Sequence, residues 1–241
     1  MTDDPQTWHY GLIAEYWAEF NDDFRAFEIP YLHASLDVDG CDVSEDMVAR
    51  CREKAGRDGL SPTLWAEPMH ELDPPRSYKT IYVCGAFGLG STREQDAEAL
   101  RRFREWLEPG GTLVLDIEVP YADTNQWKYW QKDERAELPK PPRQPRERKR
   151  AADGSEYALS SRYLELDPLE QRVTLEMQAQ RWREGTLEAE ETRVLTISLY
   201  FRNELLLMLE QAGFADVEVQ GDHNDKPATS DDEFIVFVAK K

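Results

Sequence analysis

Apolar residues recur at helical spacing through the first two dozen positions. In "HYGLIAEYWAEFNDDF", Leu12, Ile13, Tyr16, Trp17, Phe20 and Phe24 fall on one face, which is unusually aromatic. The period then shortens. "SLDVDGCDV" reads as a short strand, and Ser44 is a good N-cap for a helix with Glu45 and Asp46 in its first turn. Met47, Val48, Cys51 and Ala55 line one face of that helix, and Gly59 is its expected stop. "PTLWAEPM" reads as a strand, "HELDPPRSY" as a loop, and "KTIYVCGAFGL" as a buried strand entering a glycine-containing loop. "STREQDAEALRRFREWLEPGG" predicts a helix opened by a Ser91–Glu94 capping box, with Ala97, Leu100, Phe103 and Leu107 as its buried stripe and Pro109-Gly110-Gly111 as its end. "TLVLDIEV" is a further buried strand. Short apolar strands alternating with helices predict a parallel sheet covered on both faces.

From about Tyr121 the texture changes. "YALSSRYLELD", "QRVTLEMQAQRW" and "LEAEETRVLTISLYF" are long, alternating and more polar. In the second, Val173, Leu175, Met177 and Ala179 face one way, and Thr174, Glu176, Gln178 and Gln180 the other. With turns at Asp167-Pro168 and Glu184-Gly185, this predicts a three-stranded antiparallel insert with one wet face. The α/β texture returns in "RNELLLMLEQAGF", a helix stopped by Gly213, and in the strands "ADVEVQG" and "EFIVFVAKK". The expected organisation is residues 1–120 as the first part of an α/β core, 121–200 as the insert and 201–241 as the rest of the core.

Composition narrows the class. Of the 241 residues, 40% are hydrophobic, enough for a packed core rather than a disordered chain. The net charge of −19 would repel phosphate, so no nucleic-acid partner is expected. No apolar run reaches the roughly 20 residues of a membrane span, and the acidic start "MTDDPQTWHY" does not read as a secretion signal, so no membrane partner is expected. Cys41, Cys51 and Cys84 lack metal-ligand spacing and read as reduced thiols of a cytoplasmic protein; no metal is expected. The basic, Pro-rich "KPPRQPRERKR" (140–150) reads as a solvated loop, with a local anionic-ligand or substrate-gating role as the alternative.

Four segments in this order resemble class I S-adenosylmethionine-dependent methyltransferases of the small-molecule type. "VDGCDVSEDMVARCREKA" is similar to the family's second strand and helix, with an acid at the strand end. "WLEPGGTLVLDI" is similar to its fifth strand and the turn before it. "LLLMLEQAGFADVEV" followed by "FIVFVAKK" is similar to its last helix and antiparallel hairpin. "HYGLIAEYWAEF" is similar to the aromatic helix that closes over the cofactor. The resemblance implies a Rossmann-like sheet and S-adenosylmethionine as cofactor. It also implies roles by position. Asp42, beside Val43, would accept the ribose hydroxyls; Pro68 and Met69 would flank the adenine; Cys84, Gly85, Ala86 and Phe87 would lie beside the methionine part. Tyr10, Tyr16 and Trp17 would cover the sulfonium, where a cation above an aromatic face gains about 0.5–2 kcal/mol.

One piece of the family pattern is absent. Its first strand and glycine-rich turn have no counterpart, because "FEIPYL" leads almost directly into the second-strand match; Gly40 stands alone and Asp39 and Asp42 occupy positions for small residues. The gap is roughly 25–30 residues, one β-α unit. That strand is central in the family, so its loss would leave neighbouring strands without a partner, at about 1–3 kcal/mol for each buried unpaired group.

The expected chemistry is methyl transfer to an N, O or C nucleophile of a small molecule, with a base needed only where the acceptor loses a proton. His223 in "QGDHNDKPA" and Tyr200 are the catalytic candidates, with His9, His33 and His70 behind them. Glu118, Tyr121 and Arg202 are the candidate acceptor contacts. A homodimer through the insert or by strand exchange is compatible with the resemblance. The competing reading is a non-catalytic binding or assembly protein that keeps the fold without the donor site.

Overall fold

The computed structural model describes residues 7, 9–20, 38–57, 59–142 and 147–241. Phe24, His33 and the middle of the basic loop lie outside these residues. The elements in chain order are α1 (Gly11–Phe20), β1 (Asp39–Cys41), α2 (Glu45–Arg57), β2 (Thr63–Trp65), β3 (Tyr78–Val83), α3 (Arg93–Trp106) and β4 (Leu107–Glu118). Short helical turns over residues 124–135 precede β5 (Lys149–Arg150), β6 (Glu156–Asp167), β7 (Arg172–Arg183) and β8 (Thr186–Ser198). Helix α4 (Arg202–Gln211), β9 (Asp216–Gly221) and β10 (Phe234–Lys240) complete the chain.

The fold is mixed α/β, but the described strands do not form one continuous core sheet. β1 and β2 pair in parallel as a two-stranded sheet. A four-stranded sheet has the order β3-β4-β10-β9, with β3 and β4 parallel and the β4–β10–β9 ladder antiparallel. A second four-stranded sheet, β5-β6-β7-β8, is the insert, one short strand larger than the three expected. The chain divides into two compact units. The first holds residues 1–69, 139–164 and 175–195; the second holds 70–138, 165–174 and 196–241. The boundaries expected at 120 and 200 differ from these because β6, β7 and β8 are each about 40 Å long at ~3.4 Å per residue, and each contributes to both units.

In the second unit, Leu100 and Phe103 of α3, Leu113 and Leu115 of β4, Leu205 and Leu209 of α4, and Ile235 and Phe237 of β10 are buried. Leu100 and Phe103 belong to the stripe that the helical period singles out, and the others lie in the segments expected as a buried strand, a helix and a final strand. Three expectations shift. The capping box of α3 is formed by Thr92 and Gln95 rather than Ser91 and Glu94: Thr92 accepts the Gln95 N–H at 3.3 Å and donates its own N–H to the Gln95 side chain at 2.8 Å. The stripe of α3 runs through Asp96 and Ala99, whereas Ala97 is exposed. Strand β3, expected to be buried, buries only Val83, in keeping with its place at the end of the sheet order.

Helix α3 ends at Trp106 and β4 begins at once. Tyr78 faces Leu107 and Thr80 faces Thr112, so Glu108-Pro109-Gly110-Gly111 bulge out of the ladder. Gly59 and Gly213 stop their helices as expected, both with positive φ, and Leu60 and Phe214 each donate back five residues. Glu184 and Gly185, with φ of 50° and 79°, form the tight turn between β7 and β8.

Candidate active site

In the first unit the chain leaves β1 at Asp42. The Asp42 N–H donates to the Trp65 carbonyl at 3.1 Å, adding one rung beyond the β1–β2 pairing. Its Oδ1 accepts the Ser44 N–H at 2.7 Å, which fixes the carboxylate at the strand's carboxyl end, where ligands of α/β sheets bind. Ser44 is buried and caps α2: its Oγ accepts the Met47 N–H at 3.1 Å and donates to the His9 carbonyl. The half-buried Tyr10 hydroxyl donates to the Val43 carbonyl at 3.1 Å. Burial first, and the Asp42 charge second, push the Tyr10 pKa up, so its hydroxyl stays a donor. Tyr10, Asp42 and Val43 are thus brought together.

The start of α1 is held from outside. Its first free N–H groups, at Gly11 and Leu12, donate to Asp46 Oδ2 and Glu191 Oε2, each at 2.6 Å. Negative charge there also suits the helix dipole. Tyr16 is not part of the Tyr10 cluster. Its ring lies 5.1 Å from Phe20 and 5.7 Å from the Lys149 ammonium. Trp17 meets His9 edge-on at 5.3 Å. Pro68 and Met69 are half-buried in the turn after β2. The described ends of the basic segment are tethered: Arg148 lies 3.7 Å from the Trp182 ring and Arg150 pairs with Glu156 at 2.9 Å.

In the second unit the carboxyl ends of β3 and β4 meet at one residue that the sequence reading passed over. Asp116 is 2% exposed. Its Oδ1 accepts the Gly85 N–H at 2.5 Å, and its Oδ2 accepts the Cys84 thiol at 3.4 Å. The same Oδ2 lies 3.3 Å from His223 Nε2. The signal for Asp116 is a carboxylate inside the apolar run "TLVLDIEV", since buried acids need partners. His223 sits in a tight turn. Asp222 and His223 have φ of 43° and 51°, and the Asn224 N–H donates to the Gly221 carbonyl at 3.0 Å, a type I′ arrangement. The Asp222 side chain holds the turn by accepting the N–H groups of Glu233 and Phe234 at 2.9 and 3.0 Å. The Phe234 ring packs 5.5 Å from the imidazole.

Cys84, Gly85 and Ala86 follow β3 at this end, and Gly85 has φ +56° with open space where a Cβ would stand. Phe87 turns inward instead. It is 6% exposed and packs on Tyr200 at 5.1 Å. Tyr200 is itself 2% exposed, and its hydroxyl donates to the buried Asp96 at 2.6 Å. Ser91 donates to the other oxygen of Asp96 at 2.6 Å, and the Arg93 guanidinium lies 4.7 Å from the Tyr200 ring. Burial pushes the Asp96 pKa up; burial and the Asp96 charge push that of Tyr200 up. This pair fastens the 84–92 loop to the end of β8 and leaves the Tyr200 hydroxyl committed within the core. Glu118 is exposed at the end of β4, opposite Phe234. Tyr121 is exposed and stands edge-on to Trp127 at 6.2 Å. Arg202 is exposed at the start of α4, where its guanidinium donates to Asn203 at 3.0 Å.

Among the described residues no cluster of His, Cys, Asp and Glu could hold a metal ion, and no helix is long and apolar enough to cross a membrane.

Residues 27–111 match a family model described as a methyltransferase domain. Comparison with curated protein sequences found no match. Among solved structures, the chain is similar to the CcbJ methyltransferase from Streptomyces caelestis, with 22% identity and a TM-score of 0.60 over 89% of this chain and 77% of that one. It is similar to S-adenosylmethionine-bound CalS10, an amino pentose methyltransferase from Micromonospora echinaspora, with 16% identity and a TM-score of 0.57 over 94% and 87%. It is also similar to the sugar N-methyltransferase KedS8 from Streptoalloteichus sp ATCC 53650, with 14% identity and a TM-score of 0.60 over 98% of both chains.

Proposed function

From a chain that carries a methyltransferase domain on a methyltransferase fold, we propose S-adenosylmethionine-dependent methyl transfer to a small-molecule acceptor. The observation that carries the reading is the Tyr10–Asp42–Val43 cluster at the carboxyl end of β1. Asp42 suits a ribose by its chemistry and place: an ionised carboxylate accepts hydroxyl donors, and the Ser44 N–H fixes Oδ1 at the strand's carboxyl end. Gly85 fits a close approach, because no side chain fills the space beside it. When bound, the donor supplies a methyl group already activated on a cationic sulfur. The protein's task is then to bind, align and exclude water.

Within the first unit Asp42 is the residue suited to a ribose; within the second, the Gly85 segment suits the methionine part and His223 the proton that an N–H or O–H acceptor loses. Glu118, Tyr121 and Arg202 contact the acceptor. Amino sugars are the first acceptor class to try, since two of the similar structures are sugar or amino pentose methyltransferases by name. We place the protein in the cytoplasm, which suits cysteines that form no disulfide among the described residues, and as a homodimer formed through the insert or by strand exchange. Sedimentation velocity tests the assembly.

A non-catalytic binding or assembly role is the second reading. It is favoured by the absent glycine-rich turn and by the separate β1–β2 and β3-β4-β10-β9 sheets. Isothermal titration of the chain with S-adenosylmethionine and S-adenosylhomocysteine separates the two. Saturable heat, weakened at least about tenfold by Asp42→Asn, supports the enzyme reading. No heat at millimolar ligand with folded protein supports the second.

A further inference from the structure

The two oxygens of Asp116 have different duties. Oδ1 receives the Gly85 N–H at 2.5 Å, a donor with no alternative role because the amide hydrogen is fixed. Oδ2 receives the Cys84 thiol and faces His223 Nε2 at 3.3 Å. An ionised carboxylate only accepts. With Asp116 ionised, a bare Nε2 lone pair 3.3 Å from Oδ2 would face the carboxylate charge, so the Nε2–H form is the favoured neutral ring. The neutral ring must then carry its lone pair on Nδ1. The ring is anchored through the Nε2 contact and the Phe234 packing, while its side chain remains 42% exposed.

We infer that Asp116 is the positioning residue of this site: it holds His223 as the Nε2–H tautomer, makes Nδ1 the basic nitrogen, and ties the Gly85 segment to the same carboxylate. The inference rests on the proposed methyl transfer only for what Nδ1 does, not for the tautomer itself. In the reaction an acceptor nitrogen or oxygen lone pair forms a bond to the methyl carbon. The carbon–sulfur pair goes to sulfur, and the acceptor proton goes to Nδ1. The imidazolium so formed lies against the Asp116 charge. One carboxylate thereby sets the aim of the base and the edge of the donor-side loop.

The asymmetry of Asp116 makes a sharp test. In Asp116→Asn the side-chain oxygen must stay with the Gly85 N–H, which needs an acceptor. That places the NH2 group where Oδ2 stood, facing Nε2. An NH2 can only donate, so Nε2 must become the acceptor and the proton must move to Nδ1. Long-range 1H–15N NMR at pH 9, where imidazoles are neutral, reads the tautomer directly. The chain has only 4 histidines, and His223→Gln assigns the signal.

The expected result is Nε2–H in the parent protein and Nδ1–H in Asp116→Asn. An Nδ1–H tautomer in the parent overturns the proposal without any variant being needed. So does the same tautomer in both folded proteins. A tautomer switch in a protein that shows no heat with S-adenosylmethionine would sustain the positioning role while removing the methyltransferase reading.

Discussion

Replacing Tyr200 with Phe removes one oxygen from a buried network and leaves the ring in place. The ring keeps its contacts with Phe87 at 5.1 Å and Arg93 at 4.7 Å. What disappears is the 2.6 Å hydrogen bond to Asp96, whose carboxylate is 1% exposed. A hydrogen bond to a charged group is worth about 1.5–3 kcal/mol, which for a protein of this size lowers Tm by roughly 3–12 °C. The loss should depend on pH. Burial already raises the Asp96 pKa above its ordinary value of 3.8, so the folded state holds that proton more tightly than the unfolded chain. Stability therefore falls as pH rises from the unfolded value through the folded one. Tyr200→Phe removes a donor that favours the carboxylate, so the folded pKa rises further. The variant's deficit should be larger at pH 8 than at pH 4, because it shrinks as pH falls through the raised folded values, which lie above 3.8. Urea unfolding followed by circular dichroism across that range measures it. In an Asp96→Asn background, which removes the charge but keeps an acceptor, the same replacement should cost about 0.5–1.5 kcal/mol and show no pH dependence of this origin. A cost below about 0.5 kcal/mol, or one equal at pH 4 and pH 8, would refute the buried charged pair.

Gly88→Ala should destabilise by about 2 kcal/mol or more, because φ is +84° and a Cβ would stand 2.6 Å from the Ser198 carbonyl oxygen; thermal unfolding reads it. Glu191→Gln should weaken the hold on the α1 N-terminus by about 1 kcal/mol while keeping an acceptor; faster hydrogen exchange at Leu12 and Ile13, with β9 and β10 unchanged, is the expected signature. Arg101→Ala, in an exposed fork with Glu98 and Glu105, should leave thermal unfolding nearly unchanged, with any loss fading in high salt.

Periodicity made the helices and the final strands legible as elements, and the spacing of Leu100 and Phe103 announces their burial; in the unbroken runs around Leu205, Leu209 and Phe237 the fold decides which side chains go inside. The strand-end acid at Asp42 and the Ser44 cap were legible because their chemistry is local in sequence. Asp116 and Asp96 were not, although each interrupts an apolar pattern. Their partners lie 107 residues on at His223 and 104 residues on at Tyr200. Pairings over such separations are set by the fold and leave no local trace. The same holds for Glu191, which reaches α1 across 179 positions. The resemblance implies ligand contacts at Tyr16 and Phe87; their ring neighbours in the structure, Phe20 and Tyr200, are a matter of packing that the resemblance does not specify.

The turn at Asp222-His223 places an imidazole where the backbone favours glycine. A left-handed residue with a Cβ costs about 1–2 kcal/mol, so His223→Gly should raise the melting temperature. Any selection for thermal robustness alone would then discard the side chain that faces Asp116. Backbone relief and the imidazole are therefore separable at this turn: glycine there relaxes the chain and empties the position that faces the carboxylate.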